Sequence, residues 1–282
     1  MSRYLELTKP RITLFILMST GVGFLFGTHL GQPWTWIELF HTLLGTMLIA
    51  GGTAALNQWY EREGDGLMNR TKARPIPSGR VTADNALAFG AVLSVAGFAE
   101  LWLGVNLLSA LLALFTLASY LFVYTPLKRR SPVSTTIGAI PGAMPPLIGY
   151  AAASGHLNYE AGILYAILFL WQFPHFYAIA WMYREDYARA GIRMLPVVEP
   201  TVDSTARRIV WFSMALVPMS LAPKFMNMAG NLYLFGASIL GTLVLYAGFQ
   251  ANSNQTRLQA RRVLLASVLY LPLLYGLLAL DS

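Results

Sequence analysis

Cysteine is absent from the 282 residues. That excludes disulfides, thiolate metal sites and cysteine nucleophiles. Charge is scarce: Asp, Glu, Lys and Arg make up 12% of the chain, against roughly a quarter in a soluble domain. Acids are scarcer than bases, 13 against 20, which leaves a formal net charge of +7. In a soluble protein that excess would suggest nucleic acid; here the bases fall in gaps between apolar runs, so membrane topology explains them and no nucleic acid is expected. The start has no short apolar run ending in a small-residue cleavage site and no Arg/Ser-rich transit peptide. The first apolar run is therefore expected to be a retained span, in a bacterial inner (plasma) membrane.

What is present is greasy. The chain is 56% hydrophobic with a mean hydropathy of +0.52. Runs of about twenty apolar residues, the thickness of a bilayer, recur along its length. Nine spans are expected, at about 12–30, 39–58, 84–104, 107–126, 133–153, 160–182, 209–224, 231–250 and 262–280. The fifth is rich in Gly and Pro and is expected to bend or break. With nine spans and the N-terminus inside, every Lys and Arg except Lys224 falls on the inner side, a strong positive-inside bias that puts the C-terminus outside. The expected fold is all-α and integral to the membrane: a single domain over 1–282, with nine helices in one bundle. Two four-helix halves, about 10–130 and 131–250, carry a charged loop after their second helix, and a ninth helix covers about 262–280. Facing halves would bring both loops over a central cavity near the cytoplasmic side.

The first charged loop carries the chemistry. Asn57, Glu61 and Asp65 recur every four residues. On a helix they stack along one face with a drift of ~40° per step. Three such oxygen-bearing side chains suit a hard divalent cation, Mg²⁺. Arg70, Lys72, Arg74 and Arg80 follow, each able to hold phosphate oxygens. The second loop supplies Glu185 and Asp186, and Lys128 and Arg129 close the first half. Acids beside cations beside a membrane suggest a diphosphate on a lipid tail; the bland alternative is a basic loop after a solvated helix end. Ionising an allylic diphosphate separates a carbocation from a leaving group of roughly three negative charges, and positioned cations lower that barrier. A multi-span transporter would instead place ionisable residues near the bilayer midplane.

These residues carry a resemblance. Asn57, Glu61, Asp65, Met68, Arg70, Thr71, Arg74, Pro75, Pro77 and Gly79 are spaced as in the first signature of the intramembrane prenyltransferases related to the ubiquinone-pathway (UbiA) enzyme. Glu at the middle position, with Met68-Asn69-Arg70-Thr71 after the Asp, resembles the protohaem IX farnesyltransferase (haem O synthase) branch. Trp171 to Phe176 and Asp186 to Pro196 are similar to its second signature. Tyr124 to Arg129 and Pro141 to Gly149 match the segment between. The resemblance implies transfer of a farnesyl group from farnesyl diphosphate to the 2-vinyl of haem b, giving haem O. It also implies Mg²⁺ as cofactor and haem b as substrate, with a haem A synthase or a terminal oxidase as downstream partner. A quinone-type aromatic acceptor is the alternative. Carried over residue by residue, Asn57, Glu61, Asp65 and Asp186 are the expected catalytic and metal-holding groups, with Glu185 a further ligand. Arg70, Lys72, Arg74, Lys128 and Arg129 are the expected diphosphate cradle. Tyr183 and Tyr187 stand where other branches carry further acids, which favours one firmly held Mg²⁺ and a weaker second. His175, Trp171, Gln172 and Tyr124 are the expected acceptor-side residues. His175 would ligate haem iron or bond a propionate; otherwise it is a buried His bonded to a neighbouring helix. Glu100, near the outer end of span three, is expected to snorkel to the interface. His29, His41 and His156 are assigned no chemistry.

Overall fold

The computed structural model describes residues 3–28, 34–199 and 201–282. The expected turn after the first span, and His29 within it, lie mostly outside the described residues. Fourteen α-helical segments follow in order among those described: α1 (Arg3–Leu7), α2 (Pro10–Thr28), α3 (Trp36–Leu67), α4 (Ala83–Gly104), α5 (Leu107–Ala118), α6 (Thr125–Leu127), α7 (Ser134–Gly142), α8 (Pro145–Ser154), α9 (Tyr159–Met182), α10 (Arg184–Arg189), α11 (Leu195–Val198), α12 (Asp203–Phe225), α13 (Asn231–Asn254) and α14 (Arg257–Leu280). Among the described residues seven stretches are long and apolar enough to cross a membrane: α2, α3, α4, Leu107–Leu127, α9, α13 and α14. Two of the nine expected spans fall short of that test. The Gly/Pro-rich fifth is split into α7 and α8 by Ala143–Met144. The seventh, α12, starts at Asp203, six residues earlier than expected, and its first turns carry Arg207 and Arg208.

Apolar side chains go all the way round these helices. Val92, Val95, Trp102, Phe235 and Leu269 are each more than half exposed. On that scale, exposed apolar surface marks a lipid-facing perimeter. With lipid as apolar as the interior, helix contacts rest on close packing, so small residues mark the seams. α2 crosses α8 so tightly that a Cβ on Gly149 would lie 1.8 Å from the Thr20 carbonyl oxygen, and one on Gly23 2.0 Å from that of Pro146. α3 meets α4 through Gly45, Gly52, Gly90 and Gly97 in the same way. The second half is joined differently, with α9, α12, α13 and α14 sharing two large apolar clusters.

Ends are capped where the chain must turn in a dry setting. Thr35 and Glu38 form a reciprocal capping box at the start of α3, satisfying two otherwise orphaned donors. Asn106 caps α5 at the tight turn. Glu100 has a partner near the outer end of α4: its Oε1 lies 2.6 Å from His41 Nδ1 across the α3–α4 seam. A carboxylate this near the bilayer is stabilised by a partner more than by partial access to water. His156 instead sits in a loop, with Nδ1 2.9 Å from the Ser154 carbonyl.

Gly149→Val is expected to destabilise the bundle by about 3 kcal/mol, the upper end for overpacking. Gly21→Val, where a Cβ meets nothing within 4 Å, is expected to leave it unchanged. Thermal unfolding of the detergent-solubilised proteins, read by loss of the monodisperse peak, checks the pair.

Candidate active site

α3 positions the acid row. The sequence pattern ends its span near residue 58, but the helix runs unbroken to Leu67, 32 residues against the roughly 20 needed to cross. Its last turns therefore project at the membrane edge and carry Asn57, Glu61 and Asp65 on a rigid face. The helix stops at Met68, whose N–H donates to the Asp65 carbonyl. The chain folds back in tight turns, with Thr71 Oγ1 also donating to that carbonyl at 2.8 Å.

Each polar group in the row has a charged partner. Lys9 Nζ donates to Asn57 Oδ1 at 3.0 Å, and Asn57 Nδ2 donates to Glu61 Oε2 at 3.0 Å and to Thr125 Oγ1 at 3.3 Å. An ammonium at the amide oxygen and a carboxylate at the amide nitrogen fix which way the amide faces. Lys128 Nζ donates to Glu61 Oε1 at 2.9 Å, and Arg74 Nη1 to Asp65 Oδ2 at 2.7 Å. Asn57 and Asp65 are each 1% exposed, so pairing offsets a large desolvation cost. Asp65 Oδ1 is buried with no hydrogen-bond partner among the described residues.

The second half reaches the same place through the loop after α3. Asp186, buried on α10, accepts from the Arg70 backbone N–H at 3.2 Å and from Arg189. The Arg70 guanidinium lies over the rings of Tyr183 and Tyr187, 5.0 and 5.6 Å from their centroids, and donates to the Tyr187 hydroxyl at 3.1 Å. Met68 packs in an apolar cluster with Tyr187, Ala190, Ile192 and Met194. A π-helical turn, Ser119–Tyr124, interrupts the span between α5 and α6; such turns recur at functional sites. It sets Lys128 against Tyr124, 4.5 Å from the ring centroid. Burial opposes the charge of Lys128, yet Glu61, with Tyr124 and Tyr120, holds its pKa well above the ordinary lysine value. Lys9 goes the other way: burial of its ammonium, with Arg74 nearby, pulls its pKa down to about 7.

Not every expected residue joins this cluster. Glu185 is exposed and makes no hydrogen bond or ion pair among the described residues. It neighbours Asp186 on a helix, where successive side chains diverge by about 100°, so one of the two acids turns inward. Lys72 is exposed, and among the described residues its ammonium bonds Asn69 alone. Arg129 lies over Gly64, its Nη2 3.0 Å from where a Cβ there would sit. On the acceptor side, His175 Nδ1 meets Ser267 Oγ at 2.9 Å, Trp171 Nε1 donates to the Ser267 carbonyl at 2.7 Å, and the two rings stack at 4.8 Å. Gln172 donates to the carbonyls of Ala139 and Leu168. These three are thus tied to α14, α7 and their own helix. Tyr124 is the acceptor-side residue that reaches the charged cluster, through Lys128.

Sequence reasoning missed Lys9, Thr125 and Arg189 as members of the site. Lys9 looked like one more inner-flank base; its place just before Pro10, at the start of a span, was the available signal. Glu61, Asp65, Thr125, Arg129 and Ile192 line a hollow of about 10 Å³, about the room one water needs. A wider hollow of about 390 Å³ adjoins it, sharing Arg129 and lined by Trp59, Arg62, Glu63, Pro126 and Arg130. Among the described residues no three acids or histidines come close enough to hold a metal by themselves. One or two carboxylates completed by substrate phosphates is the usual arrangement for Mg²⁺, and the unpartnered Asp65 Oδ1 is a ready ligand for it.

An all-helical membrane bundle with a buried acid row, a matching set of cations and a second acid from the other half fits the class of intramembrane prenyltransferases. The chain belongs to the UbiA prenyltransferase family, whose model matches residues 16–272. It is 62% identical to the "Protoheme IX farnesyltransferase" of Solibacter usitatus, over 100% of this chain and 99% of that protein. It is 47% identical to the protein of the same name from Koribacter versatilis, over 99% and 92%. The fold is similar to that of a digeranylgeranylglyceryl phosphate synthase (TM-score 0.81, 18% identity, 99% of this chain and 97% of that one). It is also similar to a UbiA homologue from Archaeoglobus fulgidus solved with GPP and Mg²⁺ (TM-score 0.68, 17% identity, 98% and 99%).

Lys128→Met leaves Glu61 beside the bilayer with its main ion-pair partner gone and is expected to cost about 3–5 kcal/mol. Adding Glu61→Gln is expected to restore most of that loss, a non-additivity read by comparing the unfolding of both single variants and the double variant.

Proposed function

We propose that the chain transfers the farnesyl group of farnesyl diphosphate to the 2-vinyl of haem b, releasing diphosphate and giving haem O. The observation that carries the acceptor is full-length similarity, at up to 62% identity, to proteins named for this activity. The geometry supports the diphosphate half of the reaction. Asp65, Glu61 and Asp186 would hold Mg²⁺, with Asn57 beside them. Arg74, Lys128, Arg70 and Arg129 would take the diphosphate oxygens, with Lys72 at the rim. Bound Mg²⁺ would supply charge stabilisation to the departing diphosphate. The protein's own part is to fix the leaving group, keep water from the allylic end and present the acceptor. The vinyl carbon then attacks the farnesyl cation, and water captures the resulting cation as a hydroxyethylfarnesyl group.

The same reading has nine crossings, counting α7–α8 as one broken span and α12 as another, in an inner membrane. The basic loops and N-terminus face the cytoplasm. The tight α3–α4 seam and the close packing of α9 on α12 are equivalent pairings under a duplication of four-helix halves. Tyr124 faces the acceptor from the cluster; His175, Trp171 and Gln172 bound the apolar side of its pocket. Haem O would pass to a haem A synthase or terminal oxidase.

Asp65→Ala and Glu61→Ala are each expected to reduce haem O formation by at least about 10³-fold, the scale of losing transition-state electrostatics, while the protein remains folded in the membrane. Mass spectrometry of haem extracted after incubation with farnesyl diphosphate and haem b measures this. Near-normal product from either purified variant overturns the assignment of the row. Prenylated 4-hydroxybenzoate in a parallel incubation, with haem b unchanged, would move the acceptor to the quinone-type alternative.

A further inference from the structure

We propose that Lys9 is a diphosphate-contacting residue that holds Asn57 in the free protein and leaves it for the substrate, so that metal and diphosphate bind as one coupled event. The inference rests on the reading of the site given above.

Three observations point to Lys9. The first is its backbone: φ is +50°, in the left-handed region that a non-glycine residue rarely adopts. Such strain persists where surrounding contacts enforce it, and here they are on both sides. Gln58 Nε2 donates to the Leu7 carbonyl at 2.8 Å, and Glu6 pairs with Arg80 at 2.7 Å. The junction between α1 and α2 is thereby clamped to α3 and its loop, and the turn sends the Lys9 side chain inward. The second is donor capacity. The ammonium has three protons, and among the described residues it hydrogen-bonds only Asn57.

The third is a one-to-one matching. Each group that would face the metal is held by one cation: Asn57 by Lys9, Glu61 by Lys128, Asp65 by Arg74 and Asp186 by Arg189. A divalent cation arriving alone meets ligands already engaged by the basic groups around them. A diphosphate arriving alone meets three of these cations already answered by carboxylates, and only Lys9 set against a neutral group. Arriving together, the two let partners exchange, carboxylates to the metal and cations to phosphate oxygens, with local charge kept in balance. Lys9 is the member whose present partner is neutral, so its release forfeits the weakest of the four bonds. It is the cation best placed to move first.

The test uses the full chain in lipid nanodiscs. Mn²⁺ binding without diphosphate is read by electron paramagnetic resonance, and pyrophosphate binding without metal, in chelator, by calorimetry. Lys9→Met is expected to tighten Mn²⁺ about tenfold and to weaken pyrophosphate about tenfold, the scale of one charge-assisted bond. Lys9→Arg, which keeps the charge, is expected to hold pyrophosphate within a few-fold of the parent and serves as the check should Lys9→Met fail to fold. Opposite signs in the two arms support the proposal, since simple structural damage would weaken both. Loss in both arms, or change in neither, overturns it. Failure of the unaltered chain to bind either probe would overturn the reading of the site as well.

Discussion

Charge cannot be left unanswered where water is thin. Asp65 and Asn57 are almost wholly buried, and Asp186 nearly so. A lone carboxylate in such a place would neutralise itself or unfold its surroundings. Here Asp65 is paired with Arg74, Glu61 with Lys128 and Asp186 with Arg189. An ion pair of this kind roughly offsets its own desolvation and adds little net stability. What it provides is fixed geometry: oxygens set in a row on α3, a second acid set by the loop, and cations already within reach of any anion that enters.

The rest of the fold serves that row. α3 is long enough to cross the bilayer and still carry two more turns beyond it. The α3–α4 and α2–α8 seams, made by glycines in backbone contact, leave little room for the helix to slide. The broken span α7–α8 lets the chain bend beside α9, where a Cβ on Gly142 would strike the Gln172 side chain. The π-helical turn at Ser119–Tyr124 shifts the register of the helix end, so that Thr125, Tyr124 and Lys128 all meet the row from one side. The loop after α3 is pinned by Met68 among apolar residues and by Arg70 between two tyrosines. In that way residues from α3, the α5–α6 segment and the loop after α10 meet around the hollow beside Asp65.

Much of this is legible in the order of residues alone. The four-residue spacing of Asn57, Glu61 and Asp65 puts them on one helical face, and the helix is there. The turn at Asn106 and the break in the fifth apolar run are likewise written in residue types with one strong local preference. The misses have a common cause. Periodicity reports which face of a helix is apolar, and in lipid nearly every face is. No residue pattern therefore signals that His175 and Trp171 turn to Ser267, that Glu100 turns to His41, or that Glu185 turns out while Asp186 turns in. Lys9 is hidden for another reason: a base beside a span is ordinarily a topology signal, and only its backbone turn shows it facing inward.

Composition and spacing by themselves determined that this chain lives in a membrane, is helical throughout, and gathers acids and cations suited to a metal-bound diphosphate. Those properties depend on residue type and on separations of a few positions, which the chain carries wherever it folds. Tertiary structure alone decided which cation answers which acid, and how far the hollow closes. Those depend on contacts between residues as distant as Lys9 and Asn57, Asn57 and Thr125, or Arg70 and Asp186, and such distances are set only when the helices pack.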